Sequence, residues 1–143
     1  MLQVKDLMTT DLFTLERTDT LASARSIMKL GRIRHIPIVD DQNRFIGIVT
    51  HRDILSATVS KLAGIDSGTQ KEIDSGIPVM SIMRPDVKYV TPETELKEAA
   101  KLLLEHKYGC LPVLEGDKLV GILTEADFLS LTISLMEALE SES

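Results

Sequence analysis

Two stretches of the chain set a threonine and an aspartate three residues apart behind a glycine and two aliphatics. One is Gly-Ile-Val-Thr-His-Arg-Asp, Gly47 to Asp53, and the other is Gly-Ile-Leu-Thr-Glu-Ala-Asp, Gly121 to Asp127. Two chemistries suit that spacing. A Thr-x-x-acid at a helix start can be a capping box, in which the hydroxyl accepts from the backbone N–H three residues on and the carboxylate reaches back. The same helix start offers free N–H groups and the positive end of the helix dipole to an anion. The two readings are compatible, because Asp is less suited than Glu to close the box.

Other reactive residues do not assemble into a catalytic pattern. His35, His51 and His106 are isolated and lack the spacing of a metal site. No P-loop glycine run and no nucleophile elbow is present. Cys110 is the only cysteine, so no internal disulfide can form, and a reducing compartment is expected. Its neighbours supply nothing that would lower its pKa, so it reads as a small core residue. The sequence therefore predicts no catalytic residues, no metal and no enzyme activity.

The elements that position the two motifs come from a duplication. Val4, Met8, Asp11, Leu21 and Ala24 recur at a constant spacing as Val79, Met83, Asp86, Leu96 and Ala99, and Pro37 recurs as Pro112. One residue is lost in the polar turn, after which Gly47, Thr50, Asp53 and Leu55 meet Gly121, Thr124, Asp127 and Leu129. Two copies make a paired module rather than a solenoid. Each copy reads as a helical lead-in followed by β-α-β-β-α. In the first, Leu21, Ala24, Ile27 and Met28 share a helical face and Gly31 suits the C-terminal cap. Two β-rich runs flanking a polar turn predict a hairpin, and a helix begins near Thr50. In the second, Thr91 is the expected cap with Pro92 at the first helical position, and a glycine turn closes the hairpin. Residues 1–60 form the first repeat, 61–78 a Ser/Gly/Asp-rich connector, and 79–143 the second repeat with a C-terminal helix. A copy of this size is marginal alone, so the two are expected to pack together.

Composition bounds the function. Of 143 residues, 43% are apolar but only 3% aromatic, which predicts an aliphatic core. The net charge of −6 disfavours nucleic acid and anionic membrane surfaces as partners. No apolar run approaches the length of a spanning helix, and the first residues lack the apolar stretch of a secretory signal. A soluble cytoplasmic protein is expected.

The repeated β-α-β-β-α grammar, with Ile36-Pro37 and Leu111-Pro112 opening the hairpins and the two Gly-x-x-Thr-x-x-Asp motifs, resembles the CBS domain, named after cystathionine β-synthase. The likeness runs from about Val4 to Leu135. It implies an α/β (α+β) fold of tandem repeats packed with pseudo-twofold symmetry, and a regulatory or sensor module without catalysis. It also implies an adenine-containing ligand, AMP, ADP, ATP or S-adenosylmethionine, held between the repeats, with no cofactor required.

Carried onto this sequence, the motif aspartates take ribose hydroxyls and the motif threonines bond ribose or phosphate. One cleft would join Thr50 and Asp53 to Tyr108, Gly109, Cys110, Leu111 and Pro112. The other would join Thr124 and Asp127 to Arg34, His35, Ile36 and Pro37, with Ile33 alongside. His51 and Arg52 follow Thr50, where an Arg can add charge toward a phosphate. Glu125 and Ala126 follow Thr124, so the Asp53 site with Tyr108 is expected to be the stronger. Tyr108 suits either stacking on a base or half-buried packing. Arg25, Lys29, Arg32 and Arg34 read as a solvated helix face and loop, although Arg34, His35, Lys29 and Arg32 could compensate for Glu125 by bringing positive charge to the second cleft. Phe128, Leu129, Leu131, Leu135, Met136 and Leu139 give the C-terminal helix a broad apolar face, from which a homodimer is expected. The alternative function is a ligand-free protein-interaction or oligomerisation module. Either role calls for a regulated protein that the sequence does not identify.

Overall fold

The computed structural model describes residues 1–62, 73–106 and 109–142. Tyr108 and most of the expected connector, residues 63–72, lie outside the described residues. The fold is mixed α and β, with two small antiparallel sheets. The elements are α1 (Leu21–Gly31), β1 (His35–Val39), β2 (Phe45–Thr50), α2 (His51–Leu62), α3 (Leu96–Glu105), β3 (Cys110–Glu115), β4 (Lys118–Thr124) and α4 (Glu125–Ser141).

The chain divides into two compact units, and the lead-ins are exchanged between the repeats. One unit is Phe13–Val87; the other joins Met1–Leu12 to Lys88–Ser143. They are named here by their motif threonines, the Thr50 unit and the Thr124 unit. In the Thr124 unit the lead-in is stitched to the turn before α3: Val4 N–H donates to Thr94 O at 2.9 Å and Leu96 N–H to Leu2 O at 2.9 Å. In the Thr50 unit the matching bonds run from Val79 N–H to Asp19 O at 2.9 Å and from Leu21 N–H to Ile77 O at 2.8 Å. Val4 and Val79 are fully buried, each in the core of the unit its lead-in joins. Removing such a side chain from water contributes about 1.5–3 kcal/mol, enough to hold a short segment in place.

Both hairpins have one register and one irregularity. Pro37 faces Ile48 and Ile38 faces Gly47, with the slip between Ile38 and Val39. Pro112 faces Ile122 and Val113 faces Gly121, with the slip between Val113 and Leu114. The expected first strand of each repeat shrinks to a single parallel bridge, Leu15 to Ile38 and Val90 to Val113. There Leu15 N–H donates to Pro37 O, and Val39 N–H returns to Leu15 O, both at 2.9 Å. The missing N–H of Pro37 is therefore not needed by the ladder, which is why proline is tolerated within a strand here. The opposite edge is closed by the lead-in, where Ile48 and Arg84 exchange two backbone bonds, as do Thr9 and Ile122.

Gly47 and Gly121 permit that closure. A Cβ on Gly47 would stand 2.8 Å from Arg84 O and 2.9 Å from Met83 Sδ; on Gly121 it would stand 2.7 Å from Met8 Sδ. The turns follow different chemistry. Asp40 Oδ1 accepts from the N–H groups of Gln42 and Arg44, both at 2.9 Å, and Asn43 takes φ 61°. Gly116 takes φ 63° in the two-residue turn between β3 and β4, as a tight hairpin demands.

Two expected helix ends are corrected. Gly31 is the last residue of α1, and Arg32 occupies the left-handed cap position with φ 53° and ψ 42°. Gly31 instead makes room for the Phe13 ring, which a Cβ would approach to 2.8 Å. Thr91 does not cap α3: its N–H donates to Thr94 Oγ1 at 3.0 Å in a turn, and α3 starts at Leu96 behind Glu95.

Candidate functional site

Each motif stands where an apolar β-strand stops and a helix begins. In the Thr50 unit, β2 is buried from Gly47 to Thr50, and Thr50 itself is only 8% exposed. Its hydroxyl accepts from Asp53 N–H at 3.1 Å, the N-terminal cap of α2, and donates to Asp53 Oδ2 at 2.7 Å. The Asp53 carboxylate also turns back to the Thr50 backbone, the reach-back arm of a capping box. It is held by Arg84, whose Nε donates to both Oδ1 and Oδ2 at 3.0 Å and whose Nη2 donates to Oδ1 at 2.8 Å. Partial burial raises the Asp53 pKa. The Arg84 hydrogen bonds and charge, with those of Thr50, outweigh it and hold the carboxyl below its usual value.

The Thr124 unit solves the same corner differently. Asp127 Oδ2 accepts from Thr124 N–H at 2.8 Å, the reach-back arm of a capping box, and from Thr124 Oγ1 at 3.3 Å. Its Oδ1 accepts from the Thr9 hydroxyl at 3.3 Å. Thr9 occupies the repeat position of Arg84, so one carboxylate is charge-paired where the other meets a neutral hydroxyl. A carboxylate has about four lone-pair sites. Those of Asp53 are largely engaged by a guanidinium and a hydroxyl, and those of Asp127 by neutral donors at 2.8 to 3.3 Å.

Inside each unit the strand start lies against its own motif. His35 pairs with Thr50, and His51 N–H donates to Arg34 O at 2.8 Å. Cys110 pairs with Thr124, and Glu125 N–H donates to Gly109 O at 3.3 Å. Gly109 takes φ 80°, a value suited to glycine. Arg34, His51 and Arg52 are exposed and His35 is half-buried, whereas Ile36, Pro37, Leu111 and Pro112 are buried. Cys110 is fully buried, and burial pushes its thiol pKa up to about 12. Among the described residues no three His, Cys, Asp or Glu side chains gather as metal ligands. No helix of the described chain is long and apolar enough to cross a membrane.

Three residues escaped the sequence reading. Arg84 and Thr9 sit one position after the repeated methionines, but their types differ, so the duplication does not flag them. Asp74, only 2% exposed, pairs with Arg25 Nε at 2.6 Å. It lies in a polar stretch whose composition suggests a linker rather than a buried carboxylate.

Comparison with known proteins matches these units to a family. The CBS domain family matches residues 4–60 and 79–134. A Vibrio cholerae protein described as an acetoin utilization protein (AcuB) is 40% identical, with a TM-score of 0.81, over 100% of this chain and 98% of that one. CBSX2 of Arabidopsis thaliana, solved in complex with AMP, is 27% identical with a TM-score of 0.79, over 95% of this chain and 99% of that one. A CBS domain-containing protein of Dictyostelium discoideum is 33% identical over 98% of this chain and 97% of its own length. The two matches take in both hairpins, both motifs and both lead-in turns, and the chain belongs to the CBS domain family as a pair of such domains, a module of the regulatory type.

Proposed function

We propose that this CBS pair is a sensor that binds an adenine nucleotide or adenosyl ligand, AMP, ADP, ATP or S-adenosylmethionine, at its two Thr-x-x-Asp motifs. The observation that carries the reading is a carboxylate at two repeat-equivalent helix starts. At each, the motif threonine contacts the carboxylate and leaves it fixed beside the helix N-terminus. Asp53 and Asp127 take the ribose hydroxyls. His51, Arg52 and the positive end of the α2 dipole face the phosphate. The segments that open the hairpins, Arg34, His35, Ile36 and Pro37 in one repeat and Gly109, Cys110, Leu111 and Pro112 in the other, provide backbone and apolar surface to the base. AMP bound to the similar CBSX2 supports this ligand class.

The helix-cap geometry alone does not account for Arg84. A capping box is complete without a guanidinium, and the Arg84 side chain, 46% exposed, lies on the solvent side of Asp53. A ribose diol reaching Asp53 displaces at least one Arg84 bond and leaves that charge free for a phosphate. Asp127 needs no such exchange.

A thermal-shift and calorimetric panel of AMP, ADP, ATP, S-adenosylmethionine and GTP on the wild type, Asp53→Ala and Asp127→Ala tests the reading. Ligand at about 100 times its Kd stabilises by roughly 2.7 kcal/mol, on the order of 5 °C here. A shift confined to adenine compounds and lost in one or both variants is expected. No shift with any of them would leave the motifs as caps and favour the interaction-module alternative.

That alternative draws on α4. Leu129, Ile133, Leu135, Met136 and Leu139 are each more than half exposed, whereas Phe128 and Leu131 pack on the core. A contiguous apolar surface of this kind marks an interaction site. Two copies covering it in a homodimer is part of the proposal.

A further inference from the structure

Lys29, Arg32 and Arg34 are exposed and Arg25 is half-buried, as a solvated face requires, yet the four are not dispersed. Together with Met28, Ile33 and His51 they line one concavity of about 510 Å³ in the Thr50 unit. That volume suits a small molecule. Four permanent cations thus meet in a chain whose net charge is −6. Among the described residues, only Arg25 of the four has an acidic partner, Asp74. This pair fixes Arg25 and leaves the charges of Lys29, Arg32 and Arg34 on the exposed rim.

The backbone supplies an independent observation. Arg32 holds φ 53°, a conformation that side-chain-bearing residues adopt at a cost and glycine adopts freely. Its N–H and that of Ile33 both donate to Met28 O, which curls residues 32–34 back beside Lys29. Fold stability alone would select glycine at position 32. The chain instead has its glycine one residue earlier, against Phe13, and places a guanidinium at the strained position on the rim.

We propose that this concavity binds an oligophosphate chain, so that the site prefers ligands with several phosphates to AMP or S-adenosylmethionine. Guanidinium groups engage phosphate oxygens in pairs, and three converging cations reward each added phosphate. Arg34 and His51 are shared with the nucleotide site, so the proposal rests on that reading for which ligand carries the phosphates. Its inorganic arm stands without it.

The test measures binding of tripolyphosphate, ATP, AMP and citrate to the wild type, Lys29→Ala, Arg32→Gly, Asp53→Ala and Asp127→Ala, in low and high salt. ATP binding at least tenfold tighter than AMP is expected, with the gap closing as salt screens the charges. Tripolyphosphate should bind and citrate should bind more weakly. Arg32→Gly is the decisive variant: its Tm should rise while ATP and tripolyphosphate affinity fall about tenfold and AMP affinity holds. A purely structural Arg32 would lose nothing in binding. Equal affinity for AMP and ATP, citrate binding as well as tripolyphosphate, or an unchanged ATP affinity in Arg32→Gly overturns the proposal. AMP binding lost in the aspartate variants without any phosphate preference leaves the nucleotide reading standing and this one refuted. Arg32-dependent tripolyphosphate binding with no response to adenine does the reverse.

Discussion

Arg84 grips both carboxylate oxygens of Asp53 across 31 residues of sequence, at 2.8 to 3.0 Å. Thr9, at the equivalent place in the other unit, reaches Asp127 through one hydroxyl at 3.3 Å. A duplicated corner has thus been given two electrostatic characters by one side chain. Arg84 is 46% exposed, so the pair is worth about 0.5–1 kcal/mol in stability. Arg84→Ala should lower the unfolding free energy from urea titration by that much, and Thr9→Ala should leave it nearly unchanged. A neutral Arg84→Ala would show that the carboxylate is held by Thr50 alone.

The same pair sets a pH dependence with a definite sign. Asp53 is held below its unfolded value, so its contribution is fully present above the unfolded pKa of about 3.9 and is lost as pH falls through the folded value. Arg84→Ala removes the largest lowering influence and leaves burial, which raises the pKa, opposed by the Thr50 hydrogen bonds alone. Unfolding curves between pH 2.5 and 7 should therefore show a wild-type advantage over Arg84→Ala that is constant near neutrality and shrinks as pH falls below about 4. An advantage that does not shrink at all down to pH 2.5 would assign the effect to packing of the Arg84 stem.

Much of this architecture was legible, and the illegible part has a physical cause. Two apolar runs flanking a polar turn, with Pro37 and Gly47 or Pro112 and Gly121, mark each hairpin, and the strands are buried at nearly every position, as runs apolar along their whole length require. Thr50 and Thr124 mark their helix starts. The lead-in exchange left no trace: Val4 and Val79 are the same residue at the same repeat position, so pattern shows that each is buried but not in which unit. Arg84 followed from that exchange and was hidden with it. Gly31 misled because glycine suits both a cap and a close contact, and Phe13 required the contact. The basic residues at the end of α1 are solvated as expected, but periodicity reports faces, not the left-handed turn at Arg32 that gathers them around a concavity.

The close approach at Gly47 makes a prediction about how the motif is held. The Cβ of Gly47→Ala would meet a backbone carbonyl, Arg84 O, at 2.8 Å, and backbone locked by two hydrogen bonds to Ile48 yields poorly. At Gly121 the nearest atom is Met8 Sδ, a flexible side-chain end, with Thr9 O at 3.1 Å. Gly47→Ala should cost about 1–3 kcal/mol, in the range of overpacked cores, and Gly121→Ala less. Because the displaced segment carries Arg84, Gly47→Ala should also reproduce the lost low-pH signature of Arg84→Ala. Equal costs at the two glycines would mean that the lead-ins move freely.

Cys110 is fully buried with its thiol pKa raised to about 12, so almost no thiolate exists at neutral pH. Since the thiolate is the reacting form, a disulfide reagent at pH 8 should modify the folded protein orders of magnitude more slowly than the urea-unfolded chain. Rapid labelling of the folded protein would require β3 to open locally. Protection by an adenine ligand would then report binding at Thr124, to which Cys110 is paired.

The exposed face of α4 decides between one copy and two. Ile133 and Met136 are each 56% exposed and Leu129 is 64% exposed, and their three- and four-residue spacing sets them on one stripe of the helix. A solvated stripe of this kind contributes little to the fold of one copy, but its burial between two would supply much of an interface core. Light scattering at tens of micromolar should therefore give twice the 15.8 kDa chain mass. Ile133→Glu with Met136→Glu should reduce it to the monomer while circular dichroism keeps the helical signal, because neither residue is in a core cluster. A monomeric wild type would remove the homodimer, and a double variant that stays dimeric would move the interface away from this stripe.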